Sequence, residues 1–66
     1  MTTPEIIALA RKHIGAGTME SSARLCLADA IASYDHGAYG IARDWAVKSL
    51  RYSIGILAPD YKRAIR

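Results

Sequence analysis

A single glycine near the middle of the chain separates two long segments of helical periodicity. In SYDHGAYGIARDWAVKSL, the stretch from Ser33 to Leu50, the triplet Asp35-His36-Gly37 ends one segment, and the next begins at once. Glycine adopts a positive φ without a steric penalty, so it commonly ends a helix in a tight turn. The stretch therefore predicts an antiparallel helical hairpin whose turn lies at His36-Gly37.

Three helices in a single domain, 1–66, account for the chain. The first starts at Thr3-Pro4-Glu5, which supplies a capping hydroxyl, a proline and an acid, and Thr18 can cap the second. The fold class is all-α, a short N-terminal helix plus a long antiparallel helical hairpin. The predicted elements are helices at about 4–14, 19–35 and 38–57 and a basic tail at 59–66.

Apolar and small residues recur at helical spacing in all three segments, and they predict which faces are buried. In the first helix these residues are Ile6, Ile7, Ala10 and Ile14. In the second they are Ala23, Leu27, Ala30, Ile31 and Tyr34, with Leu25 off the main face. In the third they are Tyr39, Ala42, Ala46, Ser49, Leu50, Ser53 and Leu57. The small residues of the third helix predict a close approach to the second.

The third helix carries a further apolar stripe about a third of a turn away. It consists of Ile41, Trp45, Tyr52 and Ile56, with Lys48 between them. A short first helix cannot cover a neighbour of about 30 Å, and a helix that is apolar around more than half its girth usually meets a second partner. The stripe therefore predicts a homodimer interface at Ile41, Trp45, Tyr52 and Ile56. The alternative is that Trp45 is a central core residue with Tyr52 packed over it.

Trp, Tyr and Arg dominate protein-binding hot spots, and the third helix concentrates them. The predicted partner-binding residues are Tyr39, Arg43, Trp45, Lys48, Arg51 and Tyr52. The net charge of +3 also permits an acidic partner such as DNA. A DNA-reading helix presents polar side chains to the bases, whereas this helix presents Tyr39, Ile41 and Trp45, so direct nucleic-acid binding is the alternative and not the first expectation.

Catalytic and metal-binding patterns are not found in the sequence. The two histidines, His13 and His36, are not spaced as metal ligands, and Asp35 lies in a turn where it can bond to the local backbone. Cys26 is the only cysteine, which excludes an internal disulfide and suggests a buried thiol in a reducing compartment. We expect a cytoplasmic protein that is not an enzyme, with no cofactor, no metal and no membrane-spanning segment.

The pattern Gly37-x-Tyr39-x-x-Ala42, followed by Lys48-Ser49-Leu50, resembles the middle of a tetratricopeptide repeat. It supplies the turn glycine, the following tyrosine and a small residue at the helix crossing. The pattern occurs once, with Ala38 where the repeat usually has aspartate, whereas a solenoid needs about three stacked copies. The resemblance implies the local hairpin geometry and protein binding, and it leaves open a structural subunit of a larger assembly.

The whole chain, including the segment ASYDHGAYGIARDWAVKSLRYSIGILAPDY, is similar in length, order and texture to small early proteins of Mu-like transposable bacteriophages of pseudomonads. Among these it resembles the quorum-sensing anti-activators. The resemblance implies an all-helical homodimer that binds the DNA-binding region of a LuxR-type transcription regulator, and also the assembly ATPase of type IV pili. The function predicted for the chain is therefore a protein-binding inhibitor.

Overall fold

The computed structural model describes residues 1–15 and 19–54, apart from the side chain of Ile54. Within these residues the regular elements are three α-helices and no strand, which confirms the all-α class for the described part. The helices are α1 (Thr3–Lys12), α2 (Glu20–Asp35) and α3 (Tyr39–Ile54). Outside the described residues lie the predicted end of the third helix at 57, the tail at 59–66, Thr18, Ile56 and Leu57.

The first helix begins one residue earlier than predicted, and its N-cap is Thr2, so the prediction of a Thr3 cap is wrong. The Glu5 backbone N–H donates to Thr2 Oγ1 at 3.4 Å, and the Thr2 N–H donates to Glu5 Oε1 at 2.9 Å. These reciprocal bonds form a capping box, which needs an acid three residues after the hydroxyl. Glu5 stands at that spacing from Thr2 and not from Thr3.

The first helix also ends earlier than the predicted residue 14. The His13 N–H donates to the carbonyls of Leu9 and Ala10, and His13 already leaves the helical conformation. Gly15 follows with a φ of 87°, which is a left-handed conformation that glycine adopts without strain. Ile14 therefore lies in the turn after α1, where it packs against the core.

The N-cap of the second helix is Met19, and among the described residues no side chain caps its first turn. Its other end is closed by backbone bonds. The Ala38 N–H donates to the Ser33 carbonyl and the Gly37 N–H to the Tyr34 carbonyl, both at 2.9 Å. Gly37 has a φ of 82°, and together these features form a Schellman motif. The predicted turn at His36-Gly37 is confirmed.

One hydrophobic core is shared by all three helices, and α1 packs mainly against α3. The predicted faces of α1 and α2 are buried, with Ile14, Ile31 and Tyr34 partly buried at the edge. Leu25 is 68% exposed, so its predicted position off the main face is confirmed. The buried residues that form the core cluster are Ile6, Ile7, Ala10, Leu27, Ala30, Ala46 and Leu50.

The small residues of the predicted inner face of α3 are buried, whereas Tyr39, which is predicted on the same face, is 56% exposed. Ala42, Ala46 and Ser49 have no exposed surface, and Ser53 has almost none. Ser49 Oγ donates a hydrogen bond of 2.8 Å to the Ala23 carbonyl, so the short side chains let the α2 backbone come within reach of a serine hydroxyl. Within the described residues, no helix is both long enough and apolar enough to cross a membrane.

Candidate interaction surface

The side of α3 next to its buried face is the surface that the sequence singled out. At 100° per residue, Ile41, Trp45, Lys48 and Tyr52 fall within one sector of the helix, and we name these four residues the α3 flank. Ile41 is 57% exposed and Lys48 is exposed, whereas Trp45 and Tyr52 are partly buried. The α3 flank therefore combines an aliphatic side chain, two aromatic rings and a cation at the surface.

Trp45 belongs to both the surface and the interior. Its ring packs against the core cluster, and Lys48 Nζ lies 5.2 Å from the ring centroid. A cation at this distance from an indole ring is attracted by the electrons of the ring face. The ring of Trp45 thus packs against the core and also lies beside an ammonium group, as the core alternative predicts in part, whereas a homodimer interface at Trp45 stays a prediction.

Two predicted partner-binding residues lie elsewhere on α3. Residues two apart in a helix point about 200° apart, so Arg43 lies across the helix from Trp45, and its Nη1 donates to the Met1 carbonyl at 3.0 Å. Tyr39 is 56% exposed, but its ring packs on Tyr34 with a centroid separation of 4.9 Å and an interplanar angle of 55°. The structure does not bring Arg43 and Trp45 together on one surface.

Arg51 and Lys48 line a shallow depression with Asp44 and Val47 on the outward side of α3. Asp44 shares the depression with the two cations, so the depression does not present a continuous positive surface. Such a mixed arrangement matches a duplex DNA backbone poorly, since binding there is carried by rows of cations. Within residues 1–15 and 19–54, the structure thus places Arg51 beside Lys48 but does not form this depression into an array of phosphate-binding groups.

The single cysteine, Cys26, is a free thiol that is buried in α2. Burial raises the pKa of its thiol, nearby Lys48 lowers it and Asp29 raises it again, with burial the largest of the three effects. A raised pKa disfavours the reactive thiolate. The predicted buried thiol is confirmed.

Asp35 and His36 lie at the end of α2 and in the turn, and no group of three or more potential ligands in the described residues could hold a metal ion.

The sequence did not single out a second surface, the seam between α1 and α2. Two adjoining shallow depressions follow this seam and share Arg11 and Ile31. We name them together the α1–α2 groove. The first is lined by Pro4, Ile7, Ala8, Arg11, Ile31 and Tyr34. The second adds Ile14, Arg24, Leu27 and Ala28. The signal in the sequence was the pair of alanines, Ala8 and Ala28, beside larger apolar residues, which reads equally well as ordinary helix surface.

Comparison with models of known protein families, with curated proteins and with solved structures finds no match to this chain. The resemblances to a tetratricopeptide hairpin and to phage anti-activators therefore stay predictions that rest on the residues quoted for them. The residues exposed on the α3 flank and in the α1–α2 groove are therefore the features that bear on function.

Proposed function

We propose that this chain is a non-enzymatic protein-binding inhibitor that works as a homodimer and occludes a surface of a larger host protein. The α3 flank is the observation that carries the proposal. Ile41 exposes more than half of its surface beside the partly exposed rings of Trp45 and Tyr52. Aromatic residues at the centre of an interface, surrounded by aliphatic and cationic groups, supply most of the binding energy in many complexes.

The proposed fold beneath this surface is a long antiparallel hairpin of α2 and α3. Two contacts support it, one near each end of the pair. Tyr34 near the end of α2 packs on Tyr39 at the start of α3, and Ser49 late in α3 bonds to Ala23 early in α2. A hairpin of this kind holds the α3 flank on a rigid element, which lowers the entropy lost when a partner binds.

The dimer proposal is tested by Ile41→Lys, which places a charge at the most exposed apolar residue of the proposed interface on the α3 flank. We expect sedimentation equilibrium at tens of micromolar to show a dimer for the native protein and a monomer for the variant, because an unpaired buried charge is costly. Leu25→Lys is the matched control, since Leu25 is even more exposed on α2, and this variant should remain dimeric. A native protein that is strictly monomeric at this concentration would contradict the proposal.

Trp45 gives an independent measurement, because it is the only tryptophan in the chain. If two copies meet at the α3 flank, its ring loses contact with water and its emission shifts to shorter wavelength as the concentration rises. The Ile41→Lys variant should show no such shift. An emission maximum that is independent of concentration, in a protein that does dimerise, would place the dimer interface on another surface.

For the host protein we propose the DNA-binding region of a LuxR-type regulator, following the resemblance to phage anti-activators, with the type IV pilus ATPase as a second target. Calorimetry with the purified DNA-binding region should give saturable binding, and the protein should release the regulator from its operator. Duplex DNA alone at low salt is the competing target. Affinity for DNA that falls steeply with salt, without affinity for the regulator, would favour a nucleic-acid-binding function instead.

A further inference from the structure

The α1–α2 groove has the length and floor of a helix-binding site. From Arg24 to Tyr34 the groove follows α2 for about 15 Å, or roughly three helical turns. Its floor is apolar, formed by side chains that also close the core, among them Ile7, Leu27 and Ile31. Ala8 and Ala28 are exposed at its edges, where a methyl group lets another helix approach closely. Amphipathic helices bind such grooves through apolar anchors spaced three and four residues apart.

The charge of the groove lies at its middle. Arg11 is exposed and lines both depressions, and within the described residues no hydrogen bond or ion pair joins its guanidinium group to another residue. Arg24, at one end, is paired with Glu20, its Nε lying 2.9 Å from Glu20 Oε1. Among the described residues, the groove thus presents one cation without an ion-pair partner, beside an apolar floor.

We propose that the α1–α2 groove binds an amphipathic helix of a partner protein, with apolar side chains on the floor and an acidic residue against Arg11. The inference rests on the proposed function and names the surface that would hold the partner while the α3 flank joins two copies. Two other occupants are possible in principle, the C-terminal residues of this chain and a second copy of it, and neither supplies such a helix. Residues 55–66 carry Lys62, Arg63 and Arg66 against the single acid Asp60, so like charges would meet at Arg11.

A second copy fits the groove poorly as well. The large apolar side chains that are strongly exposed in the described residues are Met1, Met19, Leu25, Tyr39 and Ile41. On α2 this leaves Leu25 alone and on α3 it leaves Tyr39 and Ile41, which point in different directions. The α3 flank is the one long apolar row on these helices, but its Trp45 and Tyr52 are partly buried and its exposed Lys48 would bring a like charge toward Arg11. The occupant of the groove must come from another protein that carries an acidic amphipathic helix.

The test uses two labelled helical peptides of about fifteen residues, both with leucine along one face. One carries glutamate beside the leucines and the other carries lysine at the same positions. We expect fluorescence anisotropy with the full chain to show at least about tenfold tighter binding of the glutamate peptide. Arg11→Glu should reverse this preference, because like charges then oppose the glutamate peptide.

Lys12→Glu is the matched control. It makes the same change in net charge one residue along α1, at an exposed position outside the groove, and it should leave the preference for the glutamate peptide in place. Equal effects of Arg11→Glu and Lys12→Glu would show that only net charge matters and would overturn the inference. Failure of the glutamate peptide to bind at millimolar concentration would overturn it too.

The same titration separates this inference from the proposed function. Ile41→Lys, which disrupts the α3 flank, should bind the glutamate peptide with unchanged affinity. If the regulator does not bind but the glutamate peptide does, the groove still binds an acidic helix and the proposed host protein is wrong. Light scattering during the titration should show one peptide per chain, whereas a loss of dimer mass as the peptide binds would assign the groove to a second copy and overturn the inference.

Discussion

Ser49 is the residue that most directly ties two helices together. Its hydroxyl is buried and donates to the Ala23 carbonyl of α2, whereas the equally buried Ser53 donates to the Ser49 carbonyl within its own helix. A hydroxyl that bonds four residues back in its own helix competes with the helix ladder and adds little stability. Two serines of similar burial therefore contribute differently, because only one of them joins separate elements.

Ser49→Ala should accordingly lower the free energy of unfolding more than Ser53→Ala, by about 1 kcal/mol. Both changes gain the same helix propensity, so the difference between them isolates the bond from α3 to α2. Urea unfolding followed by circular dichroism measures both variants. Equal effects would mean that the bond to Ala23 contributes no net stability.

The capping box makes the first helix sensitive to acid. The bond from the Thr2 backbone N–H, followed by the Thr2 side chain, holds the pKa of Glu5 below its ordinary value. A carboxyl whose pKa is lower in the folded state contributes stability above its unfolded pKa of about 4.3, and this contribution is lost as the pH falls through the folded value. The cap is thus strongest near neutral pH.

Thr2→Ala should lower the free energy of unfolding by about 1 kcal/mol at pH 7, and this loss should change little down to about pH 4, because the backbone N–H that chiefly lowers the pKa of Glu5 is retained. Thr3→Ala is the control, since the Thr3 hydroxyl makes only a 3.5 Å contact with the Tyr39 carbonyl. Chemical unfolding at both pH values measures the two variants. A larger loss of unfolding free energy for Thr3→Ala than for Thr2→Ala would mean that Thr3 is the N-cap.

At the scale of the elements, two glycines near the start of α3 have opposite roles. Gly37 has a positive φ in the turn, whereas Gly40 lies within α3. A Cβ at either position would meet no atom within 4 Å. Sterics with neighbours are therefore the same at both positions, and only the backbone conformation distinguishes them.

Gly37→Ala should destabilise the protein by about 1–2 kcal/mol, because an L-residue is strained in the left-handed region. Gly40→Ala should stabilise it by up to about 1 kcal/mol, since alanine loses less entropy in a helix. Thermal unfolding of both variants compares the signs directly. If Gly37→Ala were neutral, the left-handed turn would not be required for α2 to end there.

Local chemistry made the helices and their buried faces predictable. The spacing of Ala23, Leu27 and Ala30 and the turn glycine Gly37 each depend on residues close in sequence, and the structure agrees with them. The Thr2 cap could also have been predicted, because Thr2 and Glu5 have the capping-box spacing. The sequence offers two adjacent threonines as the N-cap of α1, and the reciprocal hydrogen bonds between Thr2 and Glu5 show which of them caps the helix.

The candidate surfaces were less predictable because they depend on contacts between distant residues. The bond from Arg43 to the Met1 carbonyl joins residues 42 positions apart, and no periodicity within α3 indicates it. The α1–α2 groove arises from the separation of two helices, which is set by how both pack on α3. Helical periodicity placed Ile41, Trp45 and Tyr52 on one side of α3, since that relation lies within a single element.

For the whole molecule, the amount of exposed surface is ordinary. The accessible area of 4249 Å² is close to the roughly 4,100 Å² expected of a compact monomer of 7.2 kDa. The case for a partner therefore depends on which residues are exposed and not on an excess of area. Stability must then come from one small core to which every helix contributes.

Ile6→Ala tests whether that core is one cooperative unit. Ile6 is fully buried, so the change should cost about 2–5 kcal/mol, a large part of the stability of so small a domain. Because α1, α2 and α3 share the core, we expect the whole helical signal to be lost together with the Trp45 environment. Ile41→Ala, at a position 57% exposed, should change the free energy of unfolding by less than about 0.5 kcal/mol. Retention of α2 and α3 helicity while α1 alone is lost would instead show that the hairpin folds without its N-terminal helix.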